Sequence, residues 1–287
     1  MAAIILKGMP VVNAAKATLA ERASALTASF APPRLAIVRV GERADDEAYL
    51  RGAVKRCDSV GIACEVRAFG ADITNAEFMD GFAEINKNPA IHGILVMSPL
   101  PAGINMGAVK NSIDPIKDVD CMSLVNTAKL FSGDATAHAP CTPAAVIEML
   151  KHYEIPISGK RVTLVGRSLV VGKPLAMLLL AENATLTVCH TRTRDLAGEC
   201  RRADILIAAA GSARMIGADC IKPGAAVIDV GINIAGDGSL CGDVDYGAAA
   251  EVAGYITPVP GGVGTVTTTI LARNTLNACQ KISLQIT

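Results

Sequence analysis

The stretch KRVTLVGRSLVVGKPLAMLLLAE, residues 160–182, contains a complete strand–loop–helix pattern. An aliphatic run predicts a buried strand, a loop follows between Gly166 and Gly172, and an apolar helix begins with Pro174 near its start. Such a turn offers free N–H groups and a helix dipole, which together favour a diphosphate. The two glycines are not spaced as G-x-G-x-x-G, so the generic dinucleotide fingerprint is absent.

The next strand, residues 184–189, is followed by hydroxyl and guanidinium groups. Thr191 and Arg192 come first, and the first acid is Asp195. NAD sites usually carry an Asp or Glu after this strand to bind the ribose 2′-OH, whereas hydroxyls and arginines suit a 2′-phosphate. We therefore predict NADP as the cofactor, with NAD less favoured. The alternative interpretation is a solvated basic turn.

Strands and helices alternate on both sides of residues 160–182. Residues 34–97 alternate three aliphatic strands with two helices, and residues 142–230 repeat the pattern. We predict an α/β fold of two domains with a cleft between them, the second a Rossmann-type NADP-binding domain. The predicted domains are residues 1–139 and 140–267, with a closing helix, residues 268–287, that packs back on the first.

The composition of the 287-residue chain excludes several classes of protein. Hydrophobic residues make up 51%, which is enough for a large core, and no apolar run is long enough to span a bilayer. Lys+Arg and Asp+Glu balance at 27 each and aromatics are only 3%, so neither nucleic acid nor an anionic membrane is an expected partner. Nine cysteines without C-x-x-C spacing predict free thiols in a cytoplasmic protein, with no metal site.

A second glycine-rich stretch, Pro258-Val-Pro-Gly-Gly-Val-Gly264, predicts a rigid loop that faces a ligand. The alternative is a tight surface turn. Together with the motifs above, this loop completes an ordered set along nearly the whole chain: Lys117-Asp-Val-Asp120, Pro140-Cys-Thr-Pro143, Val165-Gly-Arg-Ser168, Val171-Gly-Lys-Pro174, Ala203-Asp-Ile205, Asp229-Val-Gly231, Gly242-Asp-Val-Asp245 and Pro258 to Gly264.

This ordered set resembles the methylenetetrahydrofolate dehydrogenase/cyclohydrolase family, FolD. The resemblance implies a homodimer of two-domain subunits that oxidises 5,10-methylenetetrahydrofolate with NADP and, in most members, hydrolyses the methenyl product to 10-formyltetrahydrofolate. It implies cofactor contacts at Gly166, Arg167, Ser168, Thr191 and Ile232, to which the basic turn adds Arg192. It implies folate contacts at Tyr49, Pro99, Leu100, Asp120, Pro260, Gly261 and Gly262, with Tyr49 and Asp120 as the catalytic residues.

The chain departs from the family at the residues that carry the hydrolysis. The family's Lys one helical turn after Tyr49 is Ala53 here, and its strand-ending Gln is Met97. Hydrolysis needs a positioned acid or base, whereas hydride transfer needs mainly orientation of the reactants. We therefore predict that dehydrogenase activity is retained and that cyclohydrolase activity is weak or absent. Two further departures, which could alter the folate pocket, are Cys121 for the usual Gly and Thr265-Val266 for the usual Pro-Met.

Three alternatives remain at this point. The first is a bifunctional enzyme in which Lys55, roughly 240° around an ideal helix from Tyr49, substitutes for the missing base. The second is a catalytically silent homologue that binds folate or NADP. The third, an unrelated two-domain NADP dehydrogenase, is disfavoured by the ordered motifs.

Overall fold

The computed structural model describes residues 2–286, with the side chains of residues 44, 45 and 286 excepted. The described chain divides into two compact units. We call residues 2–14 and 142–267 the six-stranded unit, and residues 15–141 and 268–286 the three-stranded unit, after the main sheet of each.

Helices and strands alternate through most of the chain. In chain order they are β1 (Ile4–Ile5), α1 (Gly8–Ser29), β2 (Arg34–Val40), α2 (Ala44–Asp58), β3 (Ala63–Phe69), α3 (Asn75–Lys87), β4 (Gly93–Val96), α4 (Met106–Ser112), α5 (Leu124–Ser132), α6 (Cys141–His152), β5 (Arg161–Val165), α7 (Gly172–Ala181), β6 (Thr185–Cys189), α8 (Leu196–Arg201), β7 (Ile205–Ala208), β8 (Ala226–Asp229), β9 (Asn233–Ile234), β10 (Leu240–Cys241), α9 (Tyr246–Ala250), β11 (Tyr255–Ile256) and α10 (Val263–Ile286).

The six-stranded unit is built on a parallel sheet in the order β1-β11-β8-β7-β5-β6. Strand β5 lies between β6, the next strand in the chain, and β7, so the direction of winding reverses at β5. In open α/β sheets ligands bind at such a reversal, outside the carboxyl ends of the strands. Most buried strand residues are aliphatic, for example Leu164, Leu206 and Val227, as expected for parallel strands covered on both faces.

The three-stranded unit has a parallel sheet in the order β3-β2-β4. Phe78 and Phe82 on α3 pack into its core, where their rings stack at a centroid distance of 6.0 Å. Helix α3 begins with a capping box, because Thr74 Oγ1 accepts the Glu77 N–H while Glu77 accepts the Thr74 N–H. Thr74 is therefore the N-cap of α3.

The structure differs from the predicted domain boundaries at the N-terminus. Ile4 and Ile5 pair in parallel with Tyr255 and Ile256, so residues 2–14 belong to the six-stranded unit and not to a first domain that starts at residue 1. The cause is the free edge of β11, whose backbone groups need partners. The last helix also starts earlier than residue 268, since α10 begins at Val263 inside the glycine-rich loop.

None of the helices within residues 2–286 combines the length and apolarity that crossing a bilayer requires. All nine cysteines lie in the described part of the chain, and each is a free thiol.

Candidate functional site

The loop between β5 and α7 is shaped by the backbone of Gly166 and by hydrogen bonds to Ser168. Gly166 has φ +132°, a conformation that side chains rarely adopt. The hydroxyl oxygen of Ser168 accepts the N–H groups of Val171 and Gly172 at 3.1 and 3.3 Å. Ser168 therefore acts as a local cap for the loop, while Arg167 beside it is exposed. The first turn of α7 carries no acidic residue, so nothing there repels an anion.

The loop after β6 presents Thr191 and Arg192 to solvent. The first acidic residue after this turn is Asp195, and its carboxylate is already engaged in a hydrogen bond. Asp195 Oδ1 accepts the Gly198 N–H at 2.9 Å and so caps α8. An Asp committed to a helix cap is a poor ligand for a ribose 2′-OH, whereas the exposed Thr and Arg suit a 2′-phosphate. These residues fit NADP.

The loop after β8 carries the predicted cofactor residue Ile232, whose side chain is 67% exposed. Its Cδ1 lies 4.0 Å from the position that a Cβ would take on Gly264. Ile232 thus lies beside the glycine-rich loop, within the same unit.

The glycine-rich loop is anchored by backbone hydrogen bonds. Gly261 accepts the Gly8 N–H at 2.8 Å and Gly262 accepts the Thr265 N–H at 3.1 Å. Pro260 and Gly261 are exposed, as a ligand-facing role requires, but Gly262 is buried. The rest of the predicted loop is not loop, because Val263 and Gly264 form the first turn of α10.

In the three-stranded unit, Tyr49 and Asp120 form a cluster with Cys141. Asp120 Oδ1 accepts the Cys141 N–H at 2.7 Å. Burial raises the pKa of Asp120, and the bonds from Cys141 partly offset that rise. Burial also raises the pKa of the Tyr49 hydroxyl well above its ordinary value, with Cys141 and Asp120 adding to the shift. Tyr49 is therefore a neutral hydrogen-bond donor at physiological pH.

Positions 53 and 97 are buried and apolar. Ala53, on the Tyr49 face of α2, has an exposure of 0%, and Met97 at the end of β4 has an exposure of 7%. Lys55 lies on a different face of α2. It is exposed in a groove that also includes Leu50, Val54 and Val66 but not Tyr49. The structure therefore does not bring Lys55 to the cluster of Tyr49 and Asp120.

The two remaining predicted folate residues follow Met97. Pro99 is exposed, and its carbonyl oxygen accepts a bond from Arg43 Nη1 at 3.4 Å. Leu100 instead packs against the core beneath the sheet. Its side chain supports the loop, because an aliphatic side chain at this position gains more from the core than from solvent.

The segment before the cluster is held by two polar side chains. Asp118 is fully buried and accepts the N–H groups of Met122 and Ser123, both at 2.9 Å. Asn274 on α10 donates to the carbonyl oxygens of Val119 and Ala139. Cys121, which replaces the family's Gly, has φ +56°, a left-handed conformation that costs a residue with a Cβ about 1–2 kcal/mol.

Two parts of this arrangement were missed by reasoning from the sequence. The sequence marks Cys141 only as part of the motif Pro140-Cys-Thr-Pro143, and its backbone contact with Asp120, 21 residues away, has no local signal. A pair of buried aspartates, Asp229 and Asp243, lies among the strand-end loops of the six-stranded unit. In the sequence, Asp243 directly follows Gly242 and Asp229 precedes Gly231 by two positions, and this proximity to glycine is their only signal. Among the described residues, no group of three or more His, Cys, Asp or Glu side chains could hold a metal ion.

Comparison with known proteins gives a consistent result. Residues 6–120 match the model of the tetrahydrofolate dehydrogenase/cyclohydrolase catalytic domain, and residues 140–283 match that of the NAD(P)-binding domain of the same family. The bifunctional protein FolD of Alkaliphilus oremlandii is 50% identical over 276 residues, which cover 96% of this chain and 97% of the relative.

Two solved structures share the fold over nearly the full length. The bifunctional FolD methylenetetrahydrofolate dehydrogenase/cyclohydrolase of Campylobacter jejuni has a TM-score of 0.94 at 36% identity, with 98% of this chain and 99% of that one covered. The Trypanosoma brucei methylenetetrahydrofolate dehydrogenase-cyclohydrolase, complexed with NADP and an inhibitor, has a TM-score of 0.92 at 35% identity, with 99% of each chain covered.

Proposed function

The chain belongs to the tetrahydrofolate dehydrogenase/cyclohydrolase family, and we propose on that premise that it oxidises 5,10-methylenetetrahydrofolate to 5,10-methenyltetrahydrofolate with NADP in one-carbon metabolism. The observation that carries the proposal is the nucleotide loop. A strand, the loop capped by Ser168 and α7 meet where the winding of the sheet reverses, and the following acid, Asp195, is committed to α8.

On the cofactor side, NADP supplies the hydride acceptor. Gly166 and Ser168 shape the loop that receives the diphosphate at the start of α7. Thr191 and Arg192 receive the 2′-phosphate, and the exposed Ile232 gives an apolar contact beside the glycine-rich loop. The protein's work is to bind and orient the cofactor.

On the folate side, Asp120 and Tyr49 orient the pterin. One oxygen of Asp120 takes the Cys141 N–H, and the carboxylate keeps acceptor capacity for the N–H donors of a pterin edge. The Tyr49 hydroxyl stays protonated and its ring offers a stacking surface. The C–H bond of the methylene bridge breaks with its electron pair, which leaves as hydride and produces the methenyl cation. This step requires positioning and no side-chain base.

The observations disagree about the second activity of the family, which is hydrolysis of the methenyl product. The similar relatives carry bifunctional names, and this supports the bifunctional alternative better than the predicted loss of hydrolysis. The residues favour the loss, because Ala53 and Met97 offer no group that activates water, and Lys55 lies on another face of α2. Hydrolysis adds water to the methenyl carbon, opens one C–N bond and releases a proton.

The purified protein tests both steps in one experiment. Methylenetetrahydrofolate is supplied with NADP or with NAD, and reduced nicotinamide and methenyltetrahydrofolate are followed separately. We expect turnover with a preference for NADP and accumulation of the methenyl product. Methenyltetrahydrofolate is then given alone. Conversion to the formyl form far above the buffer rate establishes the bifunctional enzyme, whereas binding of both ligands without turnover establishes the silent homologue.

Lys55→Ala separates the ways in which hydrolysis could survive. If hydrolysis occurs and this variant abolishes it while hydride transfer is intact, Lys55 is the substitute base. If hydrolysis is unaffected, a group other than Lys55 carries the activity.

The predicted homodimer is a further part of this proposal. Strand β3 is an edge strand, and the exposed Val66 on it lies in one groove with Leu50 and Val54 of α2. An unpaired edge beside an apolar groove supports self-association about a two-fold axis. The nine free thiols support the predicted cytoplasmic location.

A further inference from the structure

Two buried aspartates, Asp229 and Asp243, accept hydrogen bonds from several loops at the carboxyl edge of the six-stranded sheet. Asp243 is 0% exposed. Its Oδ2 accepts the N–H groups of Ala210 and Gly211 at 2.6 and 3.0 Å, and its Oδ1 accepts the Ser212 N–H at 2.8 Å and Asn233 Nδ2 at 2.9 Å. One carboxylate therefore joins the loop after β7 to the segment after β8.

Asp229, at the end of β8 and 3% exposed, holds Asp243 in place. Its Oδ1 accepts the N–H groups of Gly231 and Asp243 at 2.9 and 3.0 Å, and its Oδ2 accepts the Val244 N–H at 2.9 Å. Its own N–H donates to Thr257 Oγ1 at 2.7 Å, just before the glycine-rich loop. Burial raises the pKa of Asp229 to about 6, so this carboxyl is ionised at neutral pH.

The three successive N–H groups of residues 210–212 have the form of an anion-binding nest. In this protein the nest is filled by a side chain of the chain itself. The loop is therefore shaped before any cofactor arrives, which lowers the ordering cost of binding.

The position of these loops in the sheet indicates which part of a bound cofactor would lie nearest to them. The sheet order β6-β5-β7-β8 places Thr191 and Arg192 after β6, the diphosphate loop after β5, and residues 209–212 and 230–233 on the opposite side. A cofactor with its 2′-phosphate at β6 and its diphosphate at β5 extends its nicotinamide end toward β7 and β8.

We propose that Asp243 and Asp229 are positioning residues for the nicotinamide end of NADP, and that they act through the two loops they join without touching the cofactor. This inference rests on the proposed function as an NADP-dependent dehydrogenase. The two carboxylates fix the shape of the pocket for the nicotinamide and do not affect the pocket for the adenosine.

Asp243→Asn tests the proposal, because an amide places N–H donors against the N–H groups of residues 210–212. We expect the dissociation constant for NADP to rise about tenfold or more, with a fall in kcat/KM. The affinity for adenosine 2′,5′-bisphosphate, which has the 2′-phosphate but no nicotinamide, should change less than about twofold, since its site lies at β6. Both affinities are measured by calorimetry.

Two further variants keep the test informative if Asp243→Asn does not fold. Asn233→Ala removes one bond to Asp243 at a half-buried side chain and should weaken NADP alone by a smaller factor. Asp237→Asn is the matched control, because its exposed carboxylate also accepts a backbone N–H, from Ser239, but lies outside the network. It should bind NADP as the wild type does.

Each result has a definite meaning. Selective weakening of NADP supports the inference. Equal weakening of both ligands in the folded variants, or no weakening of NADP, overturns it. A wild type that binds NADP but does not oxidise methylenetetrahydrofolate overturns the proposed function instead, and the calorimetric comparison still reports on the two aspartates. A wild type that binds no NADP overturns both.

Discussion

At the residue scale, we expect the side chains at positions 53 and 97 to decide which reaction the cluster of Tyr49 and Asp120 supports. A lysine at position 53 would lie one turn after Tyr49, on the same face of α2. The actual Ala53 is fully buried, and Met97 is nearly so. An amine placed alone in such surroundings would lack a polar partner and would be destabilising.

Ala53→Lys combined with Met97→Gln restores the family pair and is predicted to create hydrolysis. A positioned acid or base contributes about 10²–10⁴-fold, so we expect methenyltetrahydrofolate hydrolysis to rise at least about tenfold over wild type. Ala53→Lys alone should give less, because the amine lacks the Gln. Ala53→Met with Met97→Gln is the matched control without an amine. A wild type that already hydrolyses as fast as the double variant contradicts this prediction.

His138 gives the three-stranded unit a pH-dependent stability. Its ring nitrogen Nε2 contacts the Ile116 carbonyl oxygen at 3.1 Å. Burial first, and then Lys281 and Lys129, lower its pKa to about 4, although the Ile116 carbonyl and Asp118 oppose the shift. The folded protein thus resists the proton that the unfolded chain accepts near its ordinary pKa.

The contribution of His138 to the free energy of unfolding is therefore expected to be largest above about pH 6.5. It should decrease as the pH falls towards 4, and the total loss at still lower pH should be about 3 kcal/mol. Denaturant unfolding at several pH values measures this loss. His138→Asn removes the titrating ring, so its stability should be lower at neutral pH but less steep in acid. A variant that loses stability as steeply as the wild type between these pH values assigns the effect to other groups.

At the element scale, the start of α7 depends on a close approach of backbone to backbone. A Cβ on Gly172 would lie 2.6 Å from Arg167 Cα, which is closer than real contacts allow. This packing holds the loop against the helix, so that the hydroxyl oxygen of Ser168 can accept the Gly172 N–H. The nucleotide loop and the helix thus form one structural piece.

Gly172→Ala should displace this loop. We expect a cost of about 1–3 kcal/mol from overpacking and a loss of about tenfold in NADP affinity. Gly247→Ala on α9 is the matched control, since a Cβ there meets nothing within 4 Å and alanine favours a helix. Melting temperature and calorimetry measure both effects. Unchanged NADP binding in folded Gly172→Ala would show that the loop tolerates the displacement.

Elements with strong local signals could be predicted, and those that depend on distant partners could not. Helix α3 carries its own cap at Thr74, and β5 carries its own aliphatic run. Strand β1 has only two residues and exists because Tyr255 and Ile256 offer an edge. The same holds in the site. Gly166 follows its strand directly, whereas the contact of Cys141 with Asp120 joins residues far apart in the sequence.

At the scale of the whole molecule, the exposed β3 edge predicts the oligomeric state. Val66 on β3 is 40% exposed, and a cation there should repel its symmetry mate near a two-fold axis. We expect Val66→Arg to convert a dimer to a monomer in light scattering. Val188→Arg is the matched control, because Val188 is 39% exposed on β6, the edge strand of the other sheet. A wild type that is already monomeric contradicts the prediction.

The pairing of β1 with β11 also sets an order of events during synthesis. Strand β1, Ile4–Ile5, leaves the ribosome long before its partner strand β11, Tyr255–Ile256. The three-stranded unit also depends on a residue that is made late, because Asn274 donates hydrogen bonds to the carbonyl oxygens of Val119 and Ala139. The six-stranded unit therefore cannot be completed co-translationally until residues 255 and 256 are made, and the three-stranded unit until residue 274 is made. A nascent chain stopped before residue 255 leaves strand β1 without its partner.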